Sequence, residues 1–204
     1  MTSRRPRVVL VGPPGAGKST VAEALGQVLG LTVRDTDRDV EAADGRTITD
    51  IFLESGEGAF RELETQAVAR ALREHDGVLA LGGGAVLDPR NQEVLRGHTV
   101  VFLDVGLSDA ARRIGLNRDR PLLLGNPRAR WQQLMELRRP IYQQVATGTV
   151  ATNGRTPQEV TEAVVALLAT VDGPDVLGPR TSTSVADPAE DAAGAQQNRE
   201  DDPA

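Results

Sequence analysis

Arg7-Val8-Val9-Leu10-Val11-Gly12-Pro13-Pro14-Gly15-Ala16-Gly17-Lys18-Ser19 is the stretch that decides the fold. Arg7–Val11 reads as a strand covered on both faces, because an apolar run without alternation has no side to turn to water. Gly12 to Ser19 fit the pattern G-x-x-x-x-G-K-[ST], and Val21, Ala22, Leu25, Val28 and Leu29 then recur at helical spacing, so a helix opens near Lys18. Strand, glycine-rich turn and helix, in that order, are the context in which this pattern cradles a polyphosphate. Glycines let successive N–H groups converge on one point, and the positive end of the helix adds its field. Gly15, Ala16, Gly17 and Lys18 are therefore candidate contacts to a nucleoside triphosphate. Ser19 offers a hydroxyl to Mg²⁺, which prefers oxygen ligands and keeps several waters.

Composition singles out the same residue. Of 23 basic side chains only Lys18 is a lysine. An Arg-, Ala-, Gly- and Pro-heavy composition accounts for arginine nearly everywhere. At Lys18 the geometry opposes it: a guanidinium is a broad planar fork, whereas an ammonium is a compact charge able to sit beside the β- and γ-phosphates.

The 204 residues are 39% hydrophobic and 25% charged, enough chain to bury one domain's core. No run of about 18 apolar residues suggests a membrane span. The basic start, Met1 to Pro6, leads into a strand and glycines rather than a signal-peptide core. With no cysteine there is no disulfide, thiolate metal site or cysteine nucleophile, and a cytoplasmic location is expected. No basic surface interleaved with aromatics points to nucleic acid. The formal charge of −6 is unevenly spread: residues 1–170 hold 21 acidic and 21 basic residues, and residues 171–204 hold eight acidic residues and two arginines. That final segment, rich in Pro, Gly, Ser, Thr, Ala and Asp, is expected to be a disordered acidic tail.

Between these ends strands and helices alternate. Leu31–Arg34, Val78–Leu81, Thr99–Asp104 and Thr149–Thr152 read as further buried strands. Ala59–Glu74, Ser108–Gly115, Arg128–Val145 and Thr156–Thr170 read as helices, with Pro140 marking a kink. Five strands interleaved with helices predict an α/β fold, a doubly wound parallel sheet in one domain.

Asp35-Thr36-Asp37 closes the second strand, where an open parallel sheet forms its ligand crevice. Two carboxylates there can divide between a metal-bound water and a substrate hydroxyl, or one can simply cap the next helix. Arg61 is either an i,i+3 or i,i+4 partner of Glu57, Glu64 or Thr65, or a two-pronged clamp for a carboxylate. Gly82-Gly83-Gly84, at a strand end without a hairpin partner, lets a ligand approach backbone N–H groups closely. Arg118 to Gly125 falls where a mobile lid over phosphates would sit, though alone it reads as a connecting loop. Trp131 and Tyr142 read as packing residues, and His75 and His98 have no partner in a catalytic pattern.

This ordered set resembles the shikimate kinase family across Arg7 to about Leu168. It is carried by Gly12–Thr20, Asp35-Thr36-Asp37, Phe60-Arg61 with Glu64, Leu81–Ala85, Arg120-Pro121-Leu122-Leu123 and Arg138-Arg139-Pro140-Ile141-Tyr142. The resemblance implies a P-loop fold like that of the nucleoside-monophosphate kinases, with a five-stranded parallel sheet, a lid and a small substrate-binding unit. It implies a monomer that uses ATP and Mg²⁺ to phosphorylate the 3-hydroxyl of shikimate in aromatic amino-acid biosynthesis. Asp37 would hold ring hydroxyls and accept the proton; Arg61 and Arg138 would clamp the carboxylate, with Gly82, Gly83 and Gly84 beside the ring. Arg138 is chosen over its neighbour Arg139 because it stands two residues before Pro140. Ser19 and Asp35 would serve the metal, Thr20 would join the phosphate contacts, and Arg120 would reach the phosphates. Arg113, Arg155 and Pro157 would embrace the adenine, while Ile48, Phe52, Phe60 and Leu122 would wall the substrate pocket. The rival readings are another small-metabolite kinase on this scaffold, such as gluconate kinase, and a non-catalytic nucleotide-binding module.

Overall fold

The computed structural model describes residues 5–114 and 127–172. Among them β1 (Val8–Val11), β2 (Val33–Asp35), β3 (Val78–Ala80), β4 (Val100–Asp104) and β5 (Gly148–Ala151) form one sheet in the order β2-β3-β1-β4-β5. Every pairing is parallel, with Val9 beside Leu79 on one side and Val100 on the other. Helices α1 (Lys18–Leu29), α2 (Thr36–Asp44), α3 (Ile48–Glu74), α4 (Pro89–Leu95), α5 (Leu107–Ile114), α6 (Pro127–Val145) and α7 (Pro157–Asp172) flank the sheet. The strand order places β1 between β3 and β4, so the glycine loop leaving β1 emerges in the crevice where the direction of winding reverses.

The apolar run behaves as its composition demands. Val8, Val9, Leu10 and Val11 are at most 1% exposed and join Phe102, Leu103, Val101 and Tyr142 in the main core. A second cluster of Val40, Ile51, Phe60 and Ala67, with Ile48, Phe52 and Leu63 packed against it, holds α2 to α3 on both sides of Gly56. The Phe52 and Phe60 rings meet at 4.7 Å between centroids, tilted by 35°, so three of the four expected wall residues share one apolar unit. The fourth, Leu122, lies outside the described residues.

Several boundaries differ from expectation, each for a local reason. The second strand is Val33–Asp35 rather than Leu31–Arg34, and it is the sheet's half-exposed edge rather than a buried strand. Leu31 instead donates its N–H to Gly26 O, closing the turn after α1. β3, β4 and β5 shift by a residue at an end, the usual fraying of strand limits. Helix α3 begins at Ile48, well before Ala59, because Thr47 caps it through the Asp50 N–H. Its only departure from helical geometry is Gly56 (φ 81°, ψ 170°), in the glycine-bearing stretch that masked this first half in the sequence. Helix α2, capped by Asp35, is the next helix that the capping reading offered without bounds, and α4, capped by Asp88, was not anticipated as an element. Helix α6 runs through Pro140 without interruption, and α7 continues to Asp172 rather than ending at Thr170. His75 is a satisfied core residue: its Nε2 lies 3.0 Å from Val78 O where α3 turns into β3. No helix among the described residues is long and apolar enough to cross a membrane.

Candidate functional site

The loop after β1 is fitted to its neighbours by glycine. A Cβ on Gly12 (φ +151°) would stand 2.6 Å from Leu103 O, so the chain can pass β4 only without a side chain. Lys18 Nζ turns back over the loop and donates to Gly12 O at 2.9 Å and Pro13 O at 3.3 Å. Ser19 Oγ donates to Asp35 Oδ2 at 2.8 Å, while Asp35 Oδ1 accepts the Asp37 N–H at 3.0 Å. The capping reading of Asp35 holds, one oxygen receiving the N–H of α2, while the other oxygen accepts from the hydroxyl at the start of α1.

These groups open onto a cavity of about 510 Å³, within the usual size range for small-molecule sites. Gly15, Ala16, Gly17, Lys18, Ser19 and Thr20 line one side of it, and Asp35, Asp37 and Gly83 another. Arg113, Arg155 and Pro157 line the same cavity, although they come from α5 and the turn into α7. Arg113 is oriented by the end of β5, donating to Thr152 Oγ1 at 3.0 Å and Thr152 O at 2.6 Å.

Beyond Asp37 the triglycine loop is closely packed by side-chain ends and by Pro14. A Cβ on Gly82 would meet Asp37 Oδ1 at 2.5 Å and Glu64 Oε1 at 2.7 Å, and one on Gly84 would run into the Arg61 guanidinium. The Gly82 N–H donates to Thr36 Oγ1 at 3.1 Å, and Gly82 O and Gly84 O accept from Ala85 and Leu87 in the 3-10 turn Ala85–Leu87. Gly83 O accepts from the Tyr142 hydroxyl and, at 3.5 Å, from Arg138 Nη1.

Arg61 makes the helix pairings open to it, with Glu57 Oε1 at 3.0 Å and Glu64 Oε2 at 2.6 Å, and its guanidinium also lies against Gly84. Glu64 is 2% exposed. Burial pushes its carboxyl up from the ordinary value, Arg61 pulls against that shift, and the Asp37 charge adds to it. The two adjacent arginines of α6 part company. Arg138 is buried against the glycine loop, whereas Arg139 turns to Asp104 at the end of β4. Asp37, Arg61, Gly82, Gly83, Gly84 and Arg138 thus gather, with Glu64, into one corner beside the phosphate loop. Arg120 lies outside the described residues.

Three contributors escaped the sequence reading. Glu64 was part of a motif without a role of its own, Thr36 sat between two more conspicuous aspartates, and Tyr142 was read as packing only. Tyr142 is indeed fully buried, but its hydroxyl is spent on the glycine loop; Trp131 similarly offers Nε1 to Pro14 O at 3.4 Å. The available signal was spacing: Trp131, Arg138 and Tyr142 stand at i, i+7 and i+11, on one face of a helix.

The family model described as shikimate kinase matches residues 14–169. A shikimate kinase of Streptomyces coelicolor is 55% identical over 160 residues, spanning 78% of this chain and 94% of that protein. Among solved structures, a shikimate kinase from Acinetobacter baumannii in complex with shikimate superposes with a TM-score of 0.78 at 34% identity, covering 82% of this chain and 94% of the other. A gluconokinase from Sinorhizobium meliloti reaches a TM-score of 0.53 at 21% identity over 82% of this chain and 95% of its own, which marks a shared fold alone.

Proposed function

The chain belongs to the shikimate kinase family, and from that premise we propose that it transfers the γ-phosphoryl group of ATP to the 3-hydroxyl of shikimate, giving shikimate 3-phosphate and ADP. The observation that carries this reading is the corner beside the phosphate loop. There Asp37 and the Arg61–Glu64 pair lie against Gly82 and Gly84, and Arg138 lies against Gly83 from the side of α6. A small polyol acid needs that combination of hydroxyl acceptor and carboxylate clamp.

In the proposed reaction the 3-hydroxyl oxygen forms a bond to the γ-phosphorus as the bond to the ADP oxygen breaks. The hydroxyl proton passes to Asp37. Lys18 neutralises charge on the β- and γ-phosphates, and Arg120 adds to it by family likeness. Arg113, Arg155 and Pro157 hold the adenine end, and Gly82, Gly83 and Gly84 shape the ring side of the acceptor site. Such a transfer asks the protein mainly for position and charge stabilisation rather than covalent help.

Ser19 and Asp35 fit Mg²⁺: a hydroxyl and a carboxylate oxygen, 2.8 Å apart at the cavity wall, are the hard donors this ion prefers. When bound with ATP, Mg²⁺ would supply charge neutralisation across the phosphates. The proposal extends to a monomer in the cytoplasm that acts on small molecules rather than nucleic acid, on family likeness alone.

The test is ADP release measured with shikimate, with gluconate and with no acceptor. Turnover with shikimate alone is expected. Turnover with gluconate but not shikimate sinks the assignment, and no turnover with any acceptor returns the protein to the class of nucleotide-binding modules.

A further inference from the structure

We infer that Tyr142 is a positioning residue of the acceptor site: its hydroxyl holds the Gly83 carbonyl, which fixes the Gly83–Gly84 peptide and leaves the Arg138 guanidinium for a carboxylate. The inference rests on the shikimate kinase reading and assigns a further residue to its site.

Three peptide planes follow one another through the triglycine loop, and no Cβ restricts any of them. Their orientation must therefore come from hydrogen bonds. Thr36 Oγ1 holds the Gly82 N–H, and the Ala85 N–H holds Gly82 O, so the Gly83 N–H points away from the 3-10 turn. The next carbonyl, Gly83 O, faces α6, where Tyr142 and Arg138 are its partners. In a trans peptide the N–H opposes the C=O, so a carbonyl held toward α6 sends the Gly84 N–H the other way.

The two partners are unequal. Arg138 Nη1 reaches Gly83 O only at 3.5 Å, the outer limit of a hydrogen bond, whereas the tyrosine hydroxyl makes close contact. A carbonyl half withdrawn from water favours a donor from the protein. With Tyr142 as the closer donor, Arg138 need not turn fully to the backbone; its guanidinium also stands within hydrogen-bonding reach of the Tyr142 hydroxyl, so the two side chains meet the loop together. The ring itself cannot wander: it is 0% exposed and stacks on Phe102 with centroids 4.9 Å apart and planes 14° from parallel. Burial pushes the phenol up to about 12, so the donor keeps its proton throughout neutral pH. Pro14 closes the arrangement from the nucleotide side, 3.1 Å from where a Gly83 Cβ would stand.

Tyr142→Phe removes the hydroxyl and keeps the ring, so a residue that only packs would be indifferent to it. The expected result is a KM for shikimate, and a calorimetric Kd for shikimate alone, raised about fivefold. The KM for ATP should stay within about twofold, with little change in thermal midpoint. Combined with Arg138→Lys, the shift should be smaller than the product of the two single effects, because both act on one carboxylate contact. Wild-type turnover of shikimate with an unchanged KM in Tyr142→Phe overturns this inference alone. Equal rises in both KM values, or effects that multiply independently in the double variant, also overturn it. A wild-type protein that does not use shikimate at all overturns the functional reading first.

Discussion

Lys18 holds the phosphate loop to a shape that a guanidinium would not copy. Its Nζ donates to two consecutive loop carbonyls, in a loop already pressed against β4 at Gly12. Lys18→Arg preserves charge but widens the head group, and we expect kcat to fall by about a hundredfold or more, the scale on which a misplaced transition-state donor acts. ADP release at saturating shikimate checks this, and a near-normal rate would refute it. Glu64 invites a different measurement. Its folded carboxyl titrates above the usual 4.5, chiefly because it is buried. Between pH 4.5 and that raised value the folded state therefore holds a proton the unfolded chain has released. Stability then declines as pH rises through this window and levels off above it. Glu64→Gln should flatten that segment of the stability profile, and denaturant midpoints taken in half-unit pH steps would reveal it. A profile with the wild-type slope would show that another group titrates there.

At the level of elements, what the sequence disclosed and what it hid have physical causes. β1 and the loop into α1 were legible because burial on both faces and a phosphate cradle each impose their own residue types. The edge position of β2 was not, since an edge strand of three residues carries too short a pattern to show which face is covered. The first half of α3 was obscured by Gly56 and Gly58, which break the local helical signal while Thr47 and the small second core supply what holds it. Family likeness alone separated Arg138 from Arg139, and its physical cause was out of reach, because it depends on Asp104 arriving from β4 to take the second arginine. The triglycine loop was legible as a site for close approach, but what approaches it from within the protein was not. Gly82→Ala tests that packing directly. Its Cβ would enter the space of the Asp37 and Glu64 carboxylates, so shikimate KM should rise and kcat fall while the KM for ATP holds. Unaltered kinetics with shikimate would mean that the two carboxylates can yield without consequence.

Across the whole molecule, the formal charge of −6 belongs to residues 171–204, because the preceding 170 balance 21 acidic against 21 basic residues. The fully buried side chains run from Val8 to Leu168, and α7 ends at Asp172. The family match stops at 169, and the Streptomyces coelicolor relative is spanned to 94% of its own length by 78% of this chain. Residues 173–204 lie outside the described residues, and they have no part in that match. The sequence-based expectation of an acidic tail therefore becomes a definite experiment. A chain ending at Asp172 loses seven acidic residues and two arginines. It should retain wild-type kcat, both KM values and, to within about 2 °C, the thermal midpoint, since no core contact of the described fold is removed. The same truncation should move the protein markedly toward neutrality in native electrophoresis. A large fall in the midpoint would place tail residues against the folded body, and a selective change in the KM for ATP would place that negative charge near the nucleotide cavity.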